Sequence, residues 1–532
     1  MGFYACGTIP IVLSADSIVE GECVKRIWYA DDSAAGGELN AIRSWWDNLC
    51  QTGPLFGYYP KASKTWVICK PEYEEKARTI FPDVNITSVG HRYLGSFIGT
   101  EQGKDDFIDR KVEEWCKDLQ QLTEIASREP QVAYAAYVYG LSKRWNYVCR
   151  TTPGIAKRLI PLEQVTRESF IPAILDRIFD CADDIREIFT LPPRYGGLGI
   201  PNMMEMAESE YEYSCMATKE LKDAIVNQCS SYEEGEGTTM AKAWIHQDRN
   251  KFFQEKQDLI LGKLGSSGKL MVKLASEKGA SSWLTSLPLK EYGYVLNKQQ
   301  FSDAIAIRYS LTLKDCPRVC ACGQEFSVNH ALICKLGGFT SMRHNWLRDT
   351  LGKMMKVVNC KDVQIEPPLL PVNGQHLPSG TEIGDQARLD ISARSVWNVL
   401  ERAFFDVRVF HAPAPTYNSK EITEMYLMNE KEKKRKYLQR VIQVERGSFT
   451  PLVFSTTGGM GPEAEKLVKT LAQKMEKCNG QRYSDSVSYI RRRLRFELLK
   501  TTVIALRGDR GSRLRNQEIE VQNLDLNLEP AG

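Results

Sequence analysis

Apolar residues recur along this chain at two periods, and the period changes from segment to segment. Ile108, Val112, Trp115, Leu119 and Leu122 are spaced by fours and threes, which lays one apolar stripe along a helix ending near Pro130. A second helix is expected from Gln131, carrying Tyr134, Tyr137, Tyr139 and Arg144-Trp145. Aromatics at helical spacing face either other helices or a stacked ligand. Tyr426 to Arg440 reads as a helix too, and Val487, Ile490, Leu494 and Leu498 form one face of a last helix from Ser484 to Leu506. Strand-like runs are Lys25 to Tyr29, Trp66 to Cys69, Arg388 to Ser392, Phe404 to Phe410 and Phe449 to Ser455. His91 to Gly99 alternates aromatic and apolar residues between glycines, as a hairpin does. Residues 203–310 read as helices around the polar loop Glu233-Glu234-Gly235-Glu236-Gly237, and no internal repeat is evident. The mixture predicts an α+β multidomain chain.

Composition narrows this picture in three ways. With 532 residues and 42% hydrophobic content, the chain has the material for several cores and is not disordered. A net charge of +3 is small for the size, so nucleic-acid affinity would have to come from local basic patches. Fifteen cysteines without a regular framework point to a reducing compartment, nuclear or cytoplasmic rather than secreted. No apolar run approaches the ~18 to 20 residues that span a bilayer, so no membrane partner is expected. Gly7 to Ala15 lacks the basic lead of a signal peptide, and Cys6 stands where N-myristoylation favours Ser or Thr.

Three groups of residues carry candidate chemistry. Tyr29-Ala30-Asp31-Asp32 places two carboxylates at the end of an apolar strand. Cys320, Cys322, His330 and Cys334 form a C-x-C-x7-H-x3-C pattern with Gly323 after the second cysteine, which suits tetrahedral Zn2+. Cys316 is an alternative outer ligand to Cys320, and His344 reads as a hydrogen-bonded structural residue outside the set. Such a closed site leaves no position for catalysis, so the knuckle either binds nucleic acid or braces its neighbour. Finally, Asp390 and Asp406 each sit among apolar neighbours on a predicted strand. Two strands joined by a loop of about ten residues can bring such carboxylates together around Mg2+ or Mn2+, which would polarise a phosphodiester and activate water.

The Y-A-D-D strand, the Ser63-Lys64-Thr65 segment before Trp66 to Cys69, the His91 to Gly99 hairpin and Tyr195-Gly196-Gly197-Leu198-Gly199-Ile200 occur in that order. The series resembles the palm and thumb of reverse transcriptases from non-LTR retrotransposons. A knuckle followed by paired acids resembles the C-terminal part of those that carry a restriction-like endonuclease. The resemblance implies that Asp31 and Asp32 hold catalytic metals, that Lys64 faces the triphosphate, and that the acid pair nicks target DNA to prime copying of the element's RNA template. That family has an earlier strand with a further catalytic aspartate and a nucleotide-selecting helix, whereas the only acids before the motif here are Asp16, Glu20 and Glu22 in a loop. The chain is therefore expected to be an N-terminally truncated member without polymerase activity. Leu389 stands where the family usually has proline before the first acid.

Simple restriction-like nucleases place lysine two residues after the second acid, where this chain has Arg408, which stays protonated and serves poorly as a base. The resemblance moves the lysine onto the following helix. Lys433 shares a helical face with Tyr437 and Arg440 and is the expected residue, with Lys434 and Lys436 as rivals. Glu445 is either a further metal ligand or a helix cap, and Thr456-Thr457-Gly458-Gly459 a weak phosphate-binding turn. Arg491, Arg492 and Arg495 on the last helix are expected either to contact DNA phosphates or to form a solvated basic face. The expected division is palm 1–100, thumb 101–230, helical connector 231–310, zinc knuckle 311–350, restriction-like endonuclease 351–508 and a disordered tail 509–532. The competing expectation is a catalytically dead relic that binds nucleic acid.

Overall fold

A computed structural model describes residues 24–29, 32–176, 183–229, 231–508 and 510, the side chains of 183 and 184 excepted. The fold is α+β, with many helices and four small sheets among the described residues. Two compact units form, and they cut across the expected linear division: one comprises residues 24–121, 139–166 and 202–252, the other 122–138, 167–201 and 253–510.

The first unit begins with β1 (Val24–Tyr29) paired antiparallel to β2 (Asp32–Gly37), with Tyr29 opposite Asp32. Helix α1 (Leu39–Thr52) buries Trp45, Trp46 and Leu49 in a small core with Val24 and Phe81. The strand expected at Trp66 is β3 (Trp66–Ile68), parallel to β4 (Asn85–Thr87). The expected hairpin is β5 (Gly90–Tyr93) and β6 (Ser96–Gly99). Helix α2 (Glu101–Ala126) ends short of Pro130 and buries all five residues of the apolar stripe. The helix expected from Gln131 starts at Pro130, whose missing N–H costs nothing at a helix start, passes through a π turn at Tyr137–Leu141 and resumes as α3 (Ser142–Thr151). Tyr134, Tyr137 and Trp145 are buried, so these aromatics pack in cores, while Tyr139 is exposed. The acidic loop is shorter than expected, because a helix already begins at Glu236.

The second unit is organised by one four-stranded sheet ordered β10-β9-β8-β7. β7 (Lys361–Ile365), β8 (Ile391–Arg394) and β9 (Arg402–Phe410) are successively antiparallel, and β10 (Ser448–Ser455) runs parallel to β9. The parallel pair is linked by a crossover helix running Ile422–Arg440, as parallel neighbours require. β9 is buried along most of its length, which explains its nearly continuous apolar sequence. Its odd residues Phe405 and Val407 pack with Ile391, Leu452 and Phe454 against helical side chains that include Leu351, Leu471 and Leu494. Its even residues Phe404 and Phe410 pack on the other face, with Tyr437 and Tyr426 of the crossover helix respectively. From residue 266 onward the α-helices of this unit, in chain order, are α4 (Ser266–Ser276), α5 (Lys298–Tyr309), α6 (Val328–Ile333), α7 (Phe339–Val357), α8 (the crossover helix), α9 (Pro462–Asn479) and α10 (Tyr483–Arg507). The boundary expected between 350 and 351 falls inside α7, whose Leu347, Leu351, Met354 and Met355 belong to the core beneath the sheet. Knuckle and sheet therefore share one helix. No helix among the described residues is long and apolar enough to cross a membrane.

Candidate active site

The antiparallel register pairs Ile391 with Phe405 and Ser392 with Phe404, which puts Asp390 and Asp406 side by side at one end of β8. The Asp390 backbone N–H donates to Phe405 O at 3.1 Å, and Asp390 Oδ2 accepts from the Val407 N–H at 2.6 Å. Its other oxygen, Oδ1, lies 2.9 Å from His344 Nε2, delivered by α7. Asp406 is on the even face of β9, toward α8, and is buried. Lys433 Nζ comes from α8 to within 2.7 Å of Asp406 Oδ2. That contact is a close ion pair in a buried setting. Burial raises the Asp406 pKa, Lys433 opposes the rise, and the neighbouring Asp390 adds to it.

Four of the groups expected or available for phosphodiester chemistry thus converge: Asp390, Asp406, Lys433 and His344. His344 was expected to be only structural. Its helix lies far upstream of either strand, and no periodicity links it to Asp390. The rival lysines are engaged elsewhere. Lys434 pairs with Glu463, and Lys436 lies 3.2 Å from Glu382 and 5.1 Å from the Tyr437 ring centroid. Arg408 donates from Nε to Asn429 Oδ1 at 3.3 Å, and the buried Arg440 donates to the carbonyls of Leu370, Glu382 and Gly384. Glu445 accepts from Leu370 N at 2.6 Å, which ties down a loop. Thr456 is taken by a neighbouring histidine rather than left for phosphate: its Oγ1 lies 2.8 Å from His411 Nδ1.

The cysteine-histidine cluster is brought together as the spacing implies. One donor atom from each of Cys320, Cys322, His330 and Cys334 lies within 4.8 Å of every other, so this Cys3His set could hold a zinc ion. Its turn is closed by Gly323 N–H donating to Cys320 O at 2.8 Å, with Gly323 at φ +84°, a conformation glycine adopts without strain. Ser327 caps α6 by accepting from His330 N–H at 3.0 Å. A backbone N–H of Gln324 holds the Cys322 thiol below its usual pKa, whereas burial pushes Cys334 up. Cys316 stands outside this set, near Asp303 and Arg507.

Among the described residues, the remaining expected ones do not assemble into a site. Asp31 lies outside the described residues. Asp32 opens β2 and Lys64 ends a 3-10 turn two residues ahead of β3; both are exposed, and no hydrogen bond or ion pair joins them. Two of the three arginines expected on the surface of α10 are buried. Arg491 and Arg495 are only 9% and 7% exposed. Arg495 Nε donates to Ala280 O at 2.8 Å and Arg491 lies 3.6 Å from Glu465, so both are spent inside the protein. Arg492 is partly exposed and donates to Ser488 O at 3.3 Å.

No protein-family model matches the chain, and no curated protein matches it.

Proposed function

We propose that the second unit is a metal-dependent DNA endonuclease with Asp390 and Asp406 as the metal-holding carboxylates and Lys433 as the catalytic cation. The observation that carries this reading is the convergence of two carboxylates, an ammonium and an imidazole at one sheet end. The acid pair supports it further, because two neighbouring carboxylates, one of them buried, suit a hard cation such as Mg2+ or Mn2+. When bound, that ion would supply Lewis-acid polarisation of the phosphodiester and an activated water. Asp390 is held rigid by the Val407 N–H and His344, so its orientation is fixed before any ligand arrives. Lys433 brings its side-chain nitrogen beside Asp406, where an ammonium can stabilise the negative charge that develops on phosphate. Together with the Cys3His knuckle, this matches the retrotransposon endonuclease that the sequence resembles, with target DNA as substrate and the element's RNA as a further partner.

The test is nicking of supercoiled plasmid by the full chain with Mg2+ or Mn2+. Nicking that needs the metal and disappears in Asp390→Asn and Asp406→Ala supports the reading. A folded, zinc-loaded chain that retains DNA but never nicks it, at any Mg2+ or Mn2+ concentration, would leave the binding relic as the better account.

A further inference from the structure

The knuckle and the acid pair are joined by hydrogen bonds that neither zinc coordination nor phosphodiester chemistry requires. From one side, Asn329, the residue before His330, presents Oδ1 to His411 Nε2 at 3.0 Å. His411 follows directly on β9, five residues past Asp406, and is buried. Its other nitrogen meets Thr456 Oγ1 at 2.8 Å, and Thr456 N–H donates to Phe410 O at 2.9 Å, which closes the end of the β9–β10 pair. An amide oxygen only accepts, so His411 carries its proton on Nε2 and receives the Thr456 hydroxyl at Nδ1. From the other side, Arg343 Nη2 donates to Leu332 O at 2.9 Å, between His330 and Cys334. The next residue on α7, His344, is the one that reaches Asp390.

We propose that metal binding at Cys320, Cys322, His330 and Cys334 sets the geometry of the Asp390–Asp406 pair, and that His411 is the positioning residue through which it reaches Asp406. The inference rests on the nuclease reading above. α6 has only six residues, too few to hold a helical shape unaided, so its position depends on its Ser327 cap, on the burial of Ala331 and Leu332 with their carbonyls held by Arg510 and Arg343, and on whatever gathers His330 and Cys334. A zinc ion fits that task, because three thiol sulfurs and an imidazole nitrogen already converge there. Any displacement of α6 is passed to β9 through His411, whose two nitrogens are both committed, and to Asp390 through the Arg343-His344 step. Partners of this kind orient metal ligands without touching the metal.

The experiment measures Mn2+ binding to the full chain by loss of the free-ion paramagnetic resonance signal, with Asp406→Ala as the blank. Asn329 is exposed, so its variants test the link with little risk to folding. Asn329→Ala should weaken Mn2+ binding roughly tenfold, the scale of orienting partners. Asn329→Asp, which keeps the acceptor, should restore it. The visible absorption of cobalt loaded into the knuckle should be the same in Asn329→Ala as in wild type, which separates lost coupling from a lost knuckle. Cys322→Ser, at an exposed ligand, should weaken Mn2+ binding as Asn329→Ala does. Mn2+ affinity at the wild-type level in Asn329→Ala, Cys322→Ser and His411→Gln would overturn the coupling; if His411→Gln does not fold, the other two decide. Should Asp406→Ala change neither Mn2+ binding nor nicking, the nuclease reading falls and takes the coupling with it. Should Asp406→Ala abolish both while Asn329→Ala and Cys322→Ser change nothing, the coupling alone falls.

Discussion

Lys433 is one of three lysines within four residues, and the partners of the other two single it out. With Lys434 on Glu463 and Lys436 on Glu382, only Lys433 touches an acid of the candidate site. Lys433→Ala should lower the nicking rate about 100-fold, the scale of losing one charge-stabilising group. Lys434→Ala and Lys436→Ala should leave it nearly unchanged, and plasmid nicking time courses of the three variants make the comparison. Glu277 gives a stability prediction at the same scale. Burial raises its pKa to about 7, while Tyr426 and Arg495 oppose the rise. A raised carboxyl pKa means that the folded chain holds the proton more tightly than the unfolded one. The contribution is thus fully present below about pH 4.3 and is lost as pH rises through 7. Glu277→Gln should remove that loss and unfold later than wild type at pH 8, with the difference shrinking at pH 5; thermal unfolding at the two values checks it. That Asp390 and Asp406 lie side by side was legible in sequence because each sits in an apolar, strand-like run, whereas Lys433 was singled out by the family resemblance and its helical face. His344 and His411 were not, since their partners lie 46 and 82 residues away and no local pattern encodes such pairs.

Element positions were read well from periodicity, and what surrounds them less well. The apolar stripes of α2 and α10 and the strands β9 and β10 appear where spacing put them. Arg491 of α10 is buried against Glu465 of α9, and the acceptor of Arg495, Ala280 O, lies in the irregular segment between α4 and α5, as do those of Arg493 and Lys500, Tyr292 O and Gly293 O. Loop carbonyls have no hydropathic signature, so a helix that looks basic to solvent can be lined by them instead. The Tyr195-Gly196-Gly197 turn is a second such hub. Arg308 Nη2 donates to Pro193 O and Gly197 O at 3.2 Å each and to Ser281 Oγ at 2.8 Å. A Cβ at Gly197 would collide with the Leu191 carbonyl, which is backbone and cannot swing aside. Gly197→Ala should therefore destabilise this unit by more than about 1 kcal/mol, measurable by urea unfolding.

Over the whole molecule, the units are assembled from segments that are not neighbours in sequence, which no linear reading of linkers reveals. The second unit draws on 122–138 and 167–201 as well as on the described residues from 253 to 510. Gln131 shows how closely these are knit: its side chain donates to Tyr294 O at 2.9 Å and accepts from Leu296 N at 2.7 Å. A fragment starting at residue 300 would lose the acceptors of Arg493, Arg495 and Lys500 and the Tyr294–Phe496 stack. It should unfold at lower temperature than the full chain, or fail to fold, as circular dichroism melting would show.

The pairing of Asp390 with Asp406 depends on strand register alone, since Ile391 faces Phe405 whatever lies between β8 and β9. The outer part of the connecting loop, with Val399 and Leu400 open to solvent, is therefore free to lengthen, shorten or change in sequence over generations without parting the two carboxylates, whereas Val396 and Trp397 before it pack in the core. A single residue inserted within β9 ahead of Asp406 has the opposite effect: it turns the acid toward the Phe405 side, into the apolar core and away from Lys433. Length in the loop is tolerated and length in the strand is not. Descendants of this chain can drift widely in the first and are lost quickly in the second.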